Sequence, residues 1–458
     1  MILRRVGVRS QRIRVGFMAL LALSASSEKA LAQNWSFDAR TIALGGVGGT
    51  GNLATKMIDE QRDYRSIVLP FGLIQVLKNR NIFDPNSKEF DLVRSVEYAA
   101  SPFHYIVGRN TSNTGQAAFA TDIRNATLSR DLAKYKGFTP ATELLSEGLA
   151  APNFGGTIKL RKDAGGGFQG IYVGAGPYFS MHASGTIDPG LRGVLSSGVN
   201  VKNAVFPISN MNEGQLALAV TGGYRGRFGW AAGVGSGSER EGLYVAANYN
   251  YLHGFRYENI DMTIHLDTDN SGLITLAPST TPIVINRREA TGGNGFALDV
   301  GVGAVINRWE VGFGANGIAN RIDWTGATQT NYTLSSLTSG NSDFKESTTV
   351  AIADRRVELP IDYRGNIGYY ADRWSATAEV GQGFGGASFH GGFEQRFDRV
   401  ELRGGARYTT KKWNPTGGIG FNLSQHVSLD VAVFGTNANI ERERQMALAV
   451  SIRLNHAK

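Results

Sequence analysis

From Trp374 to Leu454 the chain repeats one device, in which runs of alternating apolar and polar residues are separated by short polar turns. Trp374, Ala376, Ala378 and Val380 alternate with Ser375, Thr377, Glu379 and Gly381, and Val400, Leu402, Gly404, Ala406 and Tyr408 alternate with Glu401, Arg403, Gly405 and Arg407. Val427, Leu429, Val431 and Val433 alternate with Ser428, Asp430, Ala432 and Phe434, where Phe434 is the misfit. Met446, Leu448, Val450, Ile452 and Leu454 then alternate with Ala447, Ala449, Ser451 and Arg453. Period two puts each set on its own face of a strand. The polar faces carry Glu, Arg and Asp in mid-strand. A sandwich also has one dry and one wet face, but it seldom needs so many strands. A transmembrane barrel turns the apolar set to lipid and the charged set to its lumen.

Composition agrees with a single closed unit. The 458 residues include 59 glycines and no cysteine, with 19% charged and 10% aromatic residues. A barrel is closed by its own hydrogen bonds and needs no disulfide. Candidate strands are Thr157–Arg161, Gly170–Met181, Leu216–Tyr224, Phe228–Val234, Leu243–Tyr251, Phe296–Ile306, Trp309–Gly317 and Val357–Tyr369, followed by the closing series. Weaker ones are Tyr257–Leu266, Thr330–Leu334 and Ser347–Ala353. The expectation is an all-β, antiparallel transmembrane barrel of about 14 strands (about 12–16), short turns on one side and long loops on the other. Trp309 and Trp324 fall at strand ends, where an aromatic girdle is expected.

Residues 1–32 read as a signal peptide. Arg4, Arg5, Arg9, Arg12 and Arg14 form a basic start, Val15–Ala25 an apolar stretch too short to span a bilayer, and Ala30-Leu31-Ala32 a cleavage site before Gln33. The formal net charge of +8 falls to +3 without this leader, whose five Arg, one Lys and one Glu carry +5. No nucleic-acid partner is therefore implied. Export and the barrel pattern together predict the bacterial outer membrane, with its lipid as partner.

Residues 33–152 differ in character. Ala43–Gly51 matches G-x-G-x-x-G at Gly46, Gly48 and Gly51, but without a strand–helix context a flexible glycine segment is the better reading than a dinucleotide site. The stretch Arg40-Thr41-Ile42-Ala43-Leu44-Gly45-Gly46-Val47-Gly48 resembles the opening of mature chains in the long-chain fatty-acid transporter (FadL-like) superfamily of outer-membrane barrels. The Asn-Pro-Ala turn common soon afterwards in that superfamily is absent. The resemblance implies an N-terminal segment tucked into the barrel, with Gly45, Gly46, Gly48, Gly49 and Gly51 as plug residues. It also implies a lumen that passes small hydrophobic molecules. The span 33–152 is read as a plug, hatch or periplasmic segment of loops and short helices, one of them over Thr139–Leu149, and 153–458 as the barrel. Pro70 argues against placing Ile67–Val76 in the wall, because a strand-interior proline removes a ladder donor.

The candidate lumen residues are Glu379, His390, Glu394, Arg396, Glu401, Arg403, Arg407 and Asp430, a mixed-sign set suited to pairing across strands or lining a polar route. His390 beside Glu394 is the best single candidate for acid–base chemistry. The seven histidines show no metal-ligand spacing, and no G-x-S-x-G elbow is present, so no enzyme is expected. Asp267, Asp269 and Ser271 copy the first half of a calcium loop, with Gly272 at its sixth position. Pro278 stands where the bidentate Glu belongs, so a polar hairpin tip is preferred over a weak external calcium site, and no other cofactor is expected. The leading function is passive transport of small hydrophobic molecules. The alternative is a non-transporting structural, adhesive or secretion-accessory barrel.

Overall fold

The computed structural model describes residues 38–47, 52–60, 64–83, 103–107, 118–119, 122, 127–140, 142–150, 154–162, 167–231, 233–236, 238–275, 283–334, 345–383, 386–409, 412–436 and 445–455. Among them no helix is long and apolar enough to cross a membrane. Twenty-one strands join one antiparallel sheet. They are β1 (Tyr64–Val68), β2 (His104–Val107), β3 (Glu143–Ala150), β4 (Phe154–Lys162), β5 (Phe168–Ile187), β6 (Val205–Phe228) and β7 (Gly242–Asp267). Next come β8 (Ile283–Ala290), β9 (Gly292–Ile306), β10 (Trp309–Thr325), β11 (Thr328–Leu334), β12 (Lys345–Glu346), β13 (Val350–Ala351) and β14 (Arg355–Val357). The last seven are β15 (Asp362–Tyr370), β16 (Trp374–Gly383), β17 (Gly386–Arg396), β18 (Val400–Thr409), β19 (Lys412–Asn422), β20 (Val427–Thr436) and β21 (Gln445–Asn455).

The sheet resolves into fourteen side-by-side positions. β3 and β4 tile one side of β5, and β1 and β2 tile one side of β21. Between these ends run β5, β6, β7, β9, β10 and β15 to β21. Short turns such as Asn307-Arg308 and 371–373 lie at the end where β21 finishes at Asn455, and the long connections from β7 to β9 and from β10 to β15 leave from the other. By the barrel rule the long side is external. β6 and β7 have 24 and 26 residues, where about 9–11 span a bilayer, so their outer halves stand clear of the membrane.

The polarity of this sheet is inverted relative to a soluble protein. Val173, Val220, Val302, Phe313, Val380, Phe389, Phe393 and Leu402 are exposed, while Arg364, Glu394, Arg403, Asp430 and Arg453 on the alternate positions are buried. In water the exposed face would forfeit about 25 cal/mol for each Å² left uncovered. Lipid removes that cost, and the inverted pattern defines a membrane barrel. Ring contacts mark its two belts. Trp309–Tyr369–Trp374–Phe393 runs along the short-turn end with centroids 4.8, 5.0 and 5.9 Å apart, and Phe389–Tyr408–Trp413 along the other with 5.9 and 5.3 Å.

Several sequence expectations are corrected. Trp324 belongs to no belt: it points inward and is fully buried, its indole lying where a Cβ on Gly254 or Gly293 would be 2.6 or 2.8 Å away. Gly293, its partner on β9, and Gly254, the next residue across on β7, lack side chains, which opens a slot that a lipid-facing ring would not need. Ile67 lies in the wall, because β1 pairs with β21 and ends before Pro70, so the missing donor falls outside the ladder. Residues 143–149 form strand β3 rather than a helix, since pairing with β5 overrides their helical spacing. The 33–152 span thus contributes three strands to the wall. Phe228–Val234 ends strand β6 and enters a turn, Tyr257–Leu266 continues β7 past a bulge at Phe255, and beyond the membrane β11 pairs with β8 on one side and with β12 and β13 on the other.

Candidate functional site: the luminal face and its N-terminal segment

Two short helices lie against the inner face. Helix α1 (Ala39–Ala43) is capped by Asp38, whose carboxylate accepts from the Thr41 amide at 2.9 Å. Helix α2 (Leu53–Asp59) is capped by Asn52, which accepts from the Ala54 amide at 3.0 Å. Side-chain oxygens at these positions satisfy the amide donors a helix start leaves open. Helix α1 rests on β18 to β21, and α2 on β7, β9 and β10, across the barrel.

Each docking surface is shaped for its helix. Ala39, Ile42 and Ala43 pack on Ala432, Phe434, Ala447 and Ala449. Phe434, the one large apolar residue on the polar side of its strand, is therefore apolar because α1 lands on it. The α1 end is also held by hydrogen bonds. Ser451 Oγ donates to Asp38 (2.9 Å) and accepts from the Ala39 amide (3.2 Å), and Thr416 Oγ1 donates to the Ala43 carbonyl (3.0 Å). Gly45 takes a left-handed φ of +78° and seats against the wall: Cβ atoms built on Gly392 and Gly405 would lie 2.4 Å from the Leu44 carbonyl and 2.7 Å from the Gly45 nitrogen. Gly46 is left-handed too (φ +83°). Helix α2 buries Ala54, Met57 and Ile58 against Phe168, Tyr244, Ala246 and Val305, while Asn52 and Thr55 both donate to Asn366 Oδ1 (3.1 and 2.7 Å). Gly48, Gly49 and Gly51 lie outside the described residues.

The candidate luminal residues converge on Arg403. Its Nε donates to Glu394 (2.7 Å), one terminal nitrogen to Asp430 (2.7 Å) and the other to Glu401. Arg453 also donates to Glu401 (2.7 Å), and Arg396 lies 3.3 Å from Glu394. Arg40 of α1 completes the cluster through a two-pronged pair with Glu394, both bonds 2.9 Å, and a bond to Tyr64. This planar fork fixes orientation as well as charge. Glu379 and Arg407 stand apart from it. Glu379 pairs with Arg364 (3.3 Å), which Asp362 also holds, and Arg407 lies over the Phe434 ring and donates to the Gly435 carbonyl (2.9 Å).

His390 does not pair with Glu394: its Nδ1 donates to the Gly45 carbonyl (2.7 Å), and its strand partner is Glu379. Ser388 Oγ and His390 Nε2 make no hydrogen bond with one another, so these two set up no nucleophile–base pair. Arg40, Asp362, Arg364 and Arg453 are additions to the sequence-derived set. Period two exposes the last three, because Asp362, Arg364 and Asn366 alternate like the closing strands and Arg453 follows Ser451; Arg40, on a helix of five residues, leaves no such signal.

Towards the long-loop side the lumen turns apolar. Tyr178, Leu252, Tyr257, Ile322, Trp324 and Val357 form one buried cluster. Two of its rings have their polar atoms matched: Trp324 Nε1 donates to Gln215 (3.0 Å), Gln215 to Ser180 (3.0 Å) and the Tyr257 hydroxyl to Glu213 (2.8 Å). Replacing Trp324 by alanine is expected to cost about 3–5 kcal/mol by opening a cavity, measured by denaturant unfolding of the barrel in bilayers.

At the hairpin tip, Asp269 accepts from the Ser271 and Leu273 amides (2.7 and 3.0 Å) and faces Arg130 at 3.3 Å. The Leu273 and Ser271 amides hold its carboxyl below the usual carboxylate range. That carboxylate closes a turn. Asp267 takes part through its backbone carbonyl, which accepts from the Thr275 amide (2.9 Å). Among the described residues no group of three or more His, Asp or Glu is placed to hold a metal.

Sheet, inverted polarity and belts define an outer-membrane β-barrel. Solved structures similar to this chain include the Ralstonia pickettii toluene transporter TbuX (10% identity, TM-score 0.31, covering 63% of this chain and 81% of that one). The P. putida toluene transporter TodX is similar at 13% identity and TM-score 0.29, over 64% and 83% of the two chains. The Escherichia coli outer membrane phospholipase A follows at 10% identity and TM-score 0.22, over 52% and 79%. No family model matches the chain. No curated protein sequence matches it.

Proposed function

We propose that this barrel passes small hydrophobic molecules across the outer membrane, with residues 38–59 as its luminal seal. The observation that carries the reading is the mode of attachment of that segment. It is clasped from opposite walls by capped helices, glycine seats and one ion cluster, while its described residues make no strand pairing of their own. A wall built only for strength would not need a removable insert. The apolar cluster around Trp324 and Tyr257 supports the substrate class, because a route for polar solutes would keep charged side chains along its full length.

Arg40 offers a selective test. With Arg40→Ala, Glu394 keeps Arg403 and Arg396, so the wall retains its pairing and only the hold on α1 is lost. In liposomes the parent barrel is expected to admit a fatty acid or a simple arene and to exclude a polar solute of similar size. Arg40→Ala should raise the polar leak severalfold at unchanged folded yield. If neither solute enters through parent or variant, the non-transporting alternative replaces this reading. Export is part of the proposal, and N-terminal sequencing of the membrane-bound form should begin at Gln33; a chain still carrying Met1 would remove the leader from the account.

A further inference from the structure

The outward face of β7, β9, β10 and β14 changes chemistry in steps. Val245, Val302 and Phe313 lie lowest in register, followed by Tyr249. Tyr251 is then paired with Phe296, and Phe296 with Arg321. One register step higher, a single row runs His253–Asn294–Asp323–Arg356 across four strands. This row stands about twelve residues above the short-turn end of β7, roughly 40 Å of extended strand before tilt. That length matches a tilted strand crossing a bilayer, so the row sits where the outer leaflet's headgroups begin.

The row is built as a ledge. The Arg321 guanidinium lies over the Phe296 ring at 5.3 Å, and Tyr249 stacks on the same ring at 6.2 Å. The Tyr251 hydroxyl donates to Asn294 (2.8 Å), and His253 Nδ1 meets the same oxygen at 3.2 Å. Asp323 is shared by Arg321 (3.3 Å) and Arg356 (2.6 Å). Both guanidiniums remain open, with side chains 43% and 56% exposed. Two exposed guanidiniums thus share one carboxylate above a shelf of aromatic rings.

We propose that this ledge binds a phosphate-bearing glycolipid of the outer leaflet, the guanidiniums of Arg321 and Arg356 meeting its phosphates while its acyl chains lie along Tyr249, Phe296 and Val302. An anionic headgroup complements the two exposed guanidiniums, and the continuous step from valine to aromatic to arginine fits one molecule that is apolar below and phosphorylated above. The inference rests on the membrane reading but not on transport, and binding is read separately from flux.

The test uses the full folded chain in detergent and native mass spectrometry with bis-phosphorylated lipid A, its dephosphorylated form, and soluble pyrophosphate as separate arms. The expected result is retention of the bis-phosphorylated lipid alone. The double variant Arg321→Gln, Arg356→Gln should weaken it about twenty-five-fold, roughly fivefold for each arginine. Equal retention of the dephosphorylated lipid, equal retention by the double variant, or binding of pyrophosphate without lipid would each overturn the proposal. Asp323→Asn guards against a double variant that fails to fold, since removing the shared carboxylate should strengthen retention, and an unchanged value would count against the ledge.

Discussion

Arg403→Ala is expected to destabilise the barrel by about 3–5 kcal/mol, the cost of leaving buried charges unpaired. Arg403 is the common partner of Glu394, Glu401 and Asp430, and Glu394 and Asp430 are closed to solvent. Without it three carboxylates crowd one patch of the inner wall. Arg453 still serves Glu401 and Asp430, and Arg40 and Arg396 still serve Glu394, which keeps the loss within that range. Adding Asp430→Asn should recover part of it by removing one uncompensated charge. Denaturant unfolding in bilayers, followed by heat-modifiable gel mobility, reads both variants. A cost below about 1 kcal/mol would mean that luminal water solvates the cluster and that the pairs behave as surface pairs.

Val450→Arg is expected to cost about 2–4 kcal/mol, since at mid-depth on the lipid face no water reaches a guanidinium. Val450 alternates with Ala449 and Ser451, both fully buried inward, and its strand partner is Val431. Val450→Leu should be near neutral at the same position. Ser451→Arg faces the lumen, yet it should also be costly there, because Ser451 Oγ holds Asp38 and the Ala39 amide. The two arginines should therefore fail differently: Val450→Arg as loss of folded yield in bilayers, Ser451→Arg as a folded barrel with its N-terminal helix displaced and open to protease. Equal folded yield for Val450→Arg and Val450→Leu would contradict the assignment of this face to lipid.

The wall was legible because period two survives in every closing strand, from Ala376 against Glu379 to Val450 against Ser451. The same rule picks out Arg403, Glu394 and Asp430 as one face without showing that they meet at one point. What period two does not carry is anything set by a neighbour distant in sequence. Trp324 reads as a belt residue until Gly293 and Gly254, on the next two strands, are placed beneath its ring. Residues 143–149 read as a helix until β5 supplies the ladder. Phe434 reads as an error in the alternation until α1 is set on top of it, and Arg40 has no periodic context at all. In each case the missing information is a contact across tens to hundreds of residues.

The seating of α1 also dictates a chronology. Asp38, Arg40 and Gly45 lie early in the chain, yet their partners Ser451, Glu394 and His390 stand some 345 to 413 positions later. Contacts of such separation form only after the intervening chain has been brought to order. The leading end must therefore wait, unplaced, while the strands between are laid down, and it takes its seat when β21 has supplied the final surface. A barrel assembled this way has a free lumen first, and the segment proposed as its seal is the last part fitted by a chain that makes it early.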